Sequence, residues 1–133
     1  MAEGKYTQSI NQAVRQHPPA YAWKIHDNYA GGVPDAYYSG NKADLWVEYK
    51  WVQAFPKRAP VNPKLSELQR DWLRRHHAHG RNVAVIIASP EGGVIYPGIS
   101  WDTPQPIDQH TLYKPKGVAE WLVAQVNLET KSS

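Results

Sequence analysis

The spacing of apolar and polar positions divides the chain into short helices and strands. Apolar residues at helical spacing predict a helix over 6–17, which Pro18 and Pro19 end, and a last helix over 116–127. Ser66 is placed to cap a helix that runs to residue 78 or 79, before Gly80. Alternating or continuous apolar runs predict five strands, over 21–27, 35–39, 45–52, 82–88 and 93–96. This order predicts an α/β fold with a central mixed β-sheet flanked by helices.

Length and composition bound the class of protein. The 133 residues fit one domain, 1–133, and the absence of cysteine excludes disulfides and thiolate metal sites. The start of the chain is polar, and no apolar run approaches the ~18 residues needed to span a membrane. We therefore expect a soluble cytoplasmic protein without a membrane partner.

Positive charge is concentrated in one segment of the chain. Residues 50–81 hold eight Lys or Arg against two acids, whereas the flanks together hold seven bases and ten acids. Such a segment suits a polyanionic partner, although a solvated helix face explains it equally well. Most of the six Trp and eight Tyr belong in a core, and some are available to stack on nucleobases.

The strand predicted over 45–52 carries an acid and a base on one face. Side chains alternate along a strand, so Glu48 and Lys50 project side by side from a largely apolar run. Burying charged groups in a half-buried strand costs free energy unless they are paired or take part in binding or catalysis. A simple ion pair between them is the ordinary explanation. A hairpin between strands 35–39 and 45–52 would bring Asp35 close to both. Two neighbouring carboxylates repel unless a cation lies between them, and oxygen ligands favour Mg²⁺, for which Mn²⁺ substitutes.

These residues stand in a known order. Pro34-Asp35, then twelve residues, then Glu48-Tyr49-Lys50 resembles the PD-(D/E)XK nuclease motif. The series G-V-P-D, L-W-V-E-Y-K, L-x-x-L-Q-x-x-W-L and V-A-V-I-I resembles the virus-type replication–repair nuclease (VRR-NUC) branch, which is related to Holliday-junction resolvases. The resemblance covers roughly residues 3 to 88 and implies a restriction-endonuclease-like core.

The resemblance also assigns roles. It makes Asp35 and Glu48 metal ligands, the backbone carbonyl of Tyr49 a third ligand, and Lys50 the catalytic lysine. Gln69 matches the glutamine of the following helix, and helical spacing places it on one face in a larger apolar set: Leu65, Leu68, Trp72 and His76. Glu3 is the candidate for the acid that the family carries on its first helix.

Basic residues near this motif are the expected nucleic-acid contacts. Lys57, Arg58 and Lys64 lie in a proline-rich loop, Arg70 and Arg74 are expected to face outward from the helix after it, and Lys24 lies near the end of the first strand. Ordinary surface polarity explains Lys24 equally well.

The resulting interpretation is a magnesium-dependent endonuclease that hydrolyses DNA phosphodiester bonds. Preference for branched or junction DNA, 5′-phosphate products, phage origin (with a host-cytoplasm location) and a homodimer are implied by the resemblance alone. The alternatives are a non-catalytic nucleic-acid-binding module of the same fold, a sequence-specific restriction-type enzyme, and a protein that binds an acidic partner.

Overall fold

The computed structural model describes residues 3–25, 31–103, 106–107 and 112–129. Within these ranges three helices, five strands and one 3₁₀ turn follow one another. They are α1 (Glu3–Arg15), β1 (Tyr21–Lys24), β2 (Ala36–Ser39), β3 (Asp44–Trp51), α2 (Glu67–Ala78), β4 (Val83–Ser89), β5 (Gly92–Pro97), the 3₁₀ turn (Ser100–Asp102) and α3 (Pro115–Val126). Each predicted element is present, with boundaries shifted by up to three residues.

The five strands form one mixed sheet in the order β1-β2-β3-β4-β5. Every neighbouring pair is antiparallel except β3 and β4, which run parallel. A parallel pair requires a crossover connection, and α2 lies in the one between β3 and β4. The expected α/β architecture with a mixed sheet is confirmed.

Two apolar clusters cover the two faces of the sheet. One contains the buried sides of α1 and α3, with Tyr6, Ile10 and Leu122 among its residues. The other lies on the α2 side and contains Leu73 and Trp101. All seven residues of β4 are buried, because this central strand is covered on both faces.

The inner side of α1 includes a polar residue that the periodicity did not reveal. Asn11 is 9% exposed, and its Oδ1 accepts a hydrogen bond of 2.7 Å from the Tyr38 hydroxyl. The Tyr38 and Tyr49 hydroxyl oxygens are 2.6 Å apart. This buried network joins α1 to β2 and β3, so the polar groups of Asn11, Tyr38 and Tyr49 are partnered inside the core.

Helix α2 has the expected cap and a different inner face. Ser66 is its N-cap, and Gly80 follows it with a left-handed φ of +82°. The expectation that Leu68 faces inward was wrong, since this side chain is 60% exposed and Leu73 is buried instead. The helix begins at Glu67, so Leu65 lies outside it and does not set its phase. Leu68 lies beside the backbone of the Gly31–Gly32 turn.

Strand β1 is shorter than predicted. It ends at Lys24, Ile25 keeps a backbone hydrogen bond of 2.7 Å to the Asp35 carbonyl, and residues 26 and 27 lie outside the described ranges. Within those ranges, no helix has the length and apolar character needed to cross a lipid bilayer.

Candidate active site

The β2–β3 hairpin brings Asp35 and Glu48 together. Ala36 is opposite Val47, so the next pair outward places Asp35 opposite Glu48 on the same face of the sheet. The two carboxyl groups are near enough for hydrogen bonding between them to contribute to the raised pKa of Glu48. Asp35 Oδ2 also accepts the backbone N–H of Tyr49 at 3.1 Å, which anchors Asp35 at the start of its strand.

Burial gives these two carboxyl groups different properties. Asp35 is exposed, whereas Glu48 is 2% exposed. Burial, and after it the hydrogen-bonding interaction with Asp35 and the Asp35 charge, raise the pKa of Glu48 to about 9, a value that already includes the opposing effect of Lys50. Near neutral pH the Glu48 carboxyl therefore keeps its proton. A hard divalent cation would replace that proton, so the pair fits Mg²⁺ or Mn²⁺.

Lys50 lies on the same face of β3 as Glu48, two residues further along. It is half-buried, and the structure does not place it in a salt bridge with Glu48. The Lys50 charge nevertheless favours the ionised form of Glu48, so the two groups interact without direct contact. The Lys50 ammonium remains available to an anion that enters beside the two carboxyl groups.

A cavity of about 410 Å³ opens at this end of the sheet. It collects the residues that the sequence singled out from α1, β2, β3 and α2. Its lining is Glu3, Asp35, Glu48, Tyr49, Lys50, Trp51, Val52, Pro63, Lys64 and Gln69. Residues separated by up to 66 positions in the chain thus share one concave surface, as expected of a ligand site.

Glu3 belongs to this lining because α1 reaches further back than the apolar spacing indicated. It lies in the first turn of α1 and is exposed. Among the residues that the structure describes, however, no three His, Cys, Asp or Glu side chains converge closely enough to hold a metal ion. The carboxyl groups of Asp35 and Glu48, with the Tyr49 carbonyl, are therefore the candidate ligand set. The role of Glu3 stays a prediction.

Gln69 combines a structural task with its position in the cavity wall. The Gln69 side-chain Oε1 accepts a hydrogen bond from the Ser66 backbone N–H at 2.9 Å, and the Gln69 backbone N–H donates to Ser66 Oγ at 3.2 Å. This is a capping box, which sets the beginning of α2. The S-x-x-Q spacing contains that signal, but the sequence reasoning considered only the apolar face.

The basic residues fall into two groups. Lys64 lines the main cavity in a left-handed conformation with φ +52°, and its N–H donates to Asn62 Oδ1 at 2.8 Å. Lys24 lines an adjoining cavity of about 310 Å³, together with Glu3 and Asp35. These two lysines are therefore close to the paired carboxyl groups.

The other predicted contacts lie outside both cavity linings. Lys57 and Arg58 are exposed in the proline-rich loop. Arg70 is half-buried, so the expectation that it faces outward was only partly right. Arg74 is paired with Asp102 at 2.8 Å and lies 5.3 Å from the centre of the Trp101 ring, which engages it away from the cavity.

Sequence reasoning missed two residues of the adjoining cavity. Thr7 and Asn11 line it with Glu3, at the four-residue spacing that places side chains on one face of α1. The signal was the polar Asn11 beside the apolar Ile10 on the inner half of the helix. α1 thus presents a polar stripe toward the site.

The mixed five-stranded sheet with flanking helices is consistent with a restriction-endonuclease-like α/β fold. No family model matches the chain, and no curated protein matches it significantly. Among solved structures it is similar to Hjc, a Holliday junction resolvase from the archaeal hyperthermophile Archaeoglobus fulgidus. The TM-score is 0.50 and the identity 15%, over 72% of this chain and 72% of Hjc. At this identity the similarity establishes the fold, and the VRR-NUC branch stays a prediction.

Proposed function

We propose that this chain is a metal-dependent endonuclease that hydrolyses phosphodiester bonds in DNA. The observation that carries the proposal is the contact between the buried Glu48 carboxyl and Asp35, in a cavity that Lys50 also lines. Burying Glu48 beside Asp35 costs free energy of desolvation, and ionisation of both carboxyl groups would add repulsion. Such a pair is accounted for when it holds a cation.

The chain's own groups have distinct tasks in this proposal. Asp35, Glu48 and the Tyr49 carbonyl would hold Mg²⁺, with Glu3 as an additional acid from α1. The bound cation supplies Lewis-acid stabilisation of the negative charge that develops on the phosphate. Lys50, beside Glu48, holds a phosphate oxygen or orients the attacking water. Lys64, which also lines the cavity, binds a neighbouring phosphate.

Branched DNA is the proposed substrate class. Hjc, whose fold this chain shares, is a Holliday junction resolvase, and residues 50–81 carry most of the positive charge of this chain. Cleavage that leaves 5′-phosphate ends, a homodimer that cuts two strands, and a phage origin are further parts of the proposal. They rest on the resemblance of the P-D…E-Y-K motif to the VRR-NUC branch.

Cleavage of labelled DNA tests the proposal. Linear, nicked and four-way-junction DNA would be incubated with wild type and Asp35→Asn in Mg²⁺, Mn²⁺ or EDTA. Asp71→Asn is the matched control, because it also neutralises an exposed acid but lies outside the cavity lining. We expect metal-dependent cutting by wild type and Asp71→Asn, none by Asp35→Asn, and fastest cutting of the junction. DNA binding without cutting in either metal would point instead to a binding module.

A further inference from the structure

A continuous series of rings crosses the α2 side of the molecule. Trp23 of β1, Tyr37 of β2, Trp46 of β3, and Trp72 and His76 of α2 form this aromatic row. Successive ring centroids are 6.4, 4.7, 5.5 and 3.6 Å apart. The first three residues are cross-strand neighbours, with Trp23 opposite Tyr37 and Tyr37 opposite Trp46, so they share one face of the sheet.

The aromatic row lies on the same face as the candidate active site. Trp46 and Glu48 are two residues apart in β3, so their side chains point to one side of the sheet. Two strand residues span ~7 Å, and this separates the aromatic row from the opposed pair Asp35 and Glu48. That distance is about the length of one nucleotide in an extended strand.

The two ends of the aromatic row differ in exposure. Trp46 and Trp72 pack against the apolar cluster on the α2 side, and core packing accounts for them. Trp23 is 59% exposed, although tryptophan side chains are usually largely buried in folded proteins. Core packing therefore leaves the Trp23 end of the row unexplained.

We propose that the Trp23 end of the aromatic row binds an unpaired nucleobase of the nucleic-acid strand that enters the active site. This inference rests on the proposed nuclease function and adds a binding site to it. Aromatic side chains stack on any base, so the site would recognise an unpaired strand without reading its sequence. The bound nucleotide would lie next to the phosphate positioned at Asp35 and Glu48. Branched DNA with an open junction contains such unpaired nucleotides.

Charge and area both favour this occupant over a second copy of the chain. Lys50 and Lys64, two of the eight bases in residues 50–81, line the cavity that the strand would enter, which suits a polyanion. Trp23 and Tyr21, the exposed aromatics of β1, offer at most ~300 Å² together, judged from their exposed fractions and full areas. A stable protein interface buries ~800 Å² on each partner.

The inference is tested by measuring the affinity for a fluorescein-labelled oligodeoxythymidylate of twelve nucleotides by fluorescence anisotropy. EDTA is present, so that neither metal binding nor cleavage contributes. Trp23→Ala removes the ring, Trp23→Leu keeps apolar area without it, and Trp23→Phe keeps a stacking ring. Tyr21→Ala is the control, since Tyr21 is 56% exposed on the same strand but outside the aromatic row. Binding of a blunt duplex and sedimentation of each variant are measured alongside, and circular dichroism checks the fold.

We expect Trp23→Ala and Trp23→Leu to weaken oligonucleotide binding about tenfold, equivalent to about 1.4 kcal/mol. Trp23→Phe should stay within about threefold of wild type, and Tyr21→Ala and all duplex affinities within about twofold. Equal losses in Trp23→Leu and Trp23→Phe, an equal loss in Tyr21→Ala, or an equal loss on duplex would each overturn the inference. A wild-type dimer that Trp23→Ala dissociates would overturn it in favour of contact between copies.

The cleavage assay separates this inference from the proposed function. If wild type cuts junction DNA and Trp23→Ala binds the oligonucleotide like wild type, the stacking site is wrong and the nuclease stands. If wild type neither binds nor cuts nucleic acid, both proposals are wrong.

Discussion

Glu48→Gln replaces the buried carboxyl at the centre of the candidate site with an amide of nearly the same shape. Gln cannot ionise, and its amide can still donate a hydrogen bond to Asp35. The substitution therefore removes one property of Glu48, its ability to become charged, while the packing is retained. We expect the variant to be more stable than wild type at alkaline pH without metal, and to lose the response to Mg²⁺.

The sign and size follow from the raised pKa of Glu48. Its value of about 9 in the folded protein exceeds the usual 4.5, so the folded state binds a proton that the unfolded chain releases. Wild-type stability therefore falls as pH rises between these two values. At pH 8, about 3.5 pH units above the usual pKa, the cost of keeping Glu48 protonated is about 5 kcal/mol, at about 1.36 kcal/mol per pH unit. Local relaxation and water entry reduce such costs, so we expect about 2 kcal/mol.

Thermal unfolding at pH 5 and pH 8 measures this effect. In EDTA the two proteins should unfold at similar temperatures at pH 5, and Glu48→Gln about 8 °C higher at pH 8, at about 4 °C per kcal/mol. Mg²⁺ at ten times its dissociation constant should then stabilise wild type by about 1.4 kcal/mol at pH 8 and leave Glu48→Gln unchanged. Asp71→Asn controls for loss of an acid elsewhere.

Two results would refute this reasoning. If wild type and Glu48→Gln keep a constant difference in unfolding temperature from pH 5 to pH 8, the Glu48 carboxyl is not held neutral by burial. If Mg²⁺ stabilises Glu48→Gln as much as wild type, the cation does not bind at the pair of carboxyl groups.

The remaining predictions concern the residues around that pair. Lys50→Ala should lower the cleavage rate about 10²-fold with DNA affinity little changed, and recovery at higher Mg²⁺ would contradict a role beside the phosphate. Gln69→Ala should cost about 1 kcal/mol in urea unfolding, whereas Gln69→Glu should keep the capping box and its stability; equal losses would mean that the cap contributes nothing. Neutralising Lys57 and Arg58 together should reduce the slope of log affinity against log salt by up to about 1.8, equally for all sequences, and sequence-selective loss would indicate base contacts.

Most helices and strands could be predicted from the sequence, because residues close together in the chain specify where each element begins and ends. The continuous apolar run of β4 requires a strand covered on both faces. Ser66 and Gly80 mark the two ends of α2 through backbone groups only a few residues away. Alternation along β3 likewise places Glu48 and Lys50 on one face wherever that strand lies in the sheet.

The arrangement of the site depended on contacts between distant segments. No local pattern states that Glu48 is buried, that α1 delivers Glu3 to the cavity, or that Lys64 lines it. The hydrogen bond from Arg74 to Asp102, 28 residues away, likewise could not be predicted from the local sequence. The misplacement of Leu68 has the same origin, since the packing of α2 on the sheet decides which of its sides is inner.

The sequence by itself thus determined which groups are present and in what order: an acid after Pro34, an acid and a lysine on one strand, and a basic segment beyond them. Tertiary structure alone decided that Asp35 lies opposite Glu48 and that Glu48 is buried, because both depend on the β2–β3 register and on packing between separate segments. The sequence gives the chemical type of each side chain. Its burial and its neighbours, which shift its pKa, arise only when separate segments of the chain pack together.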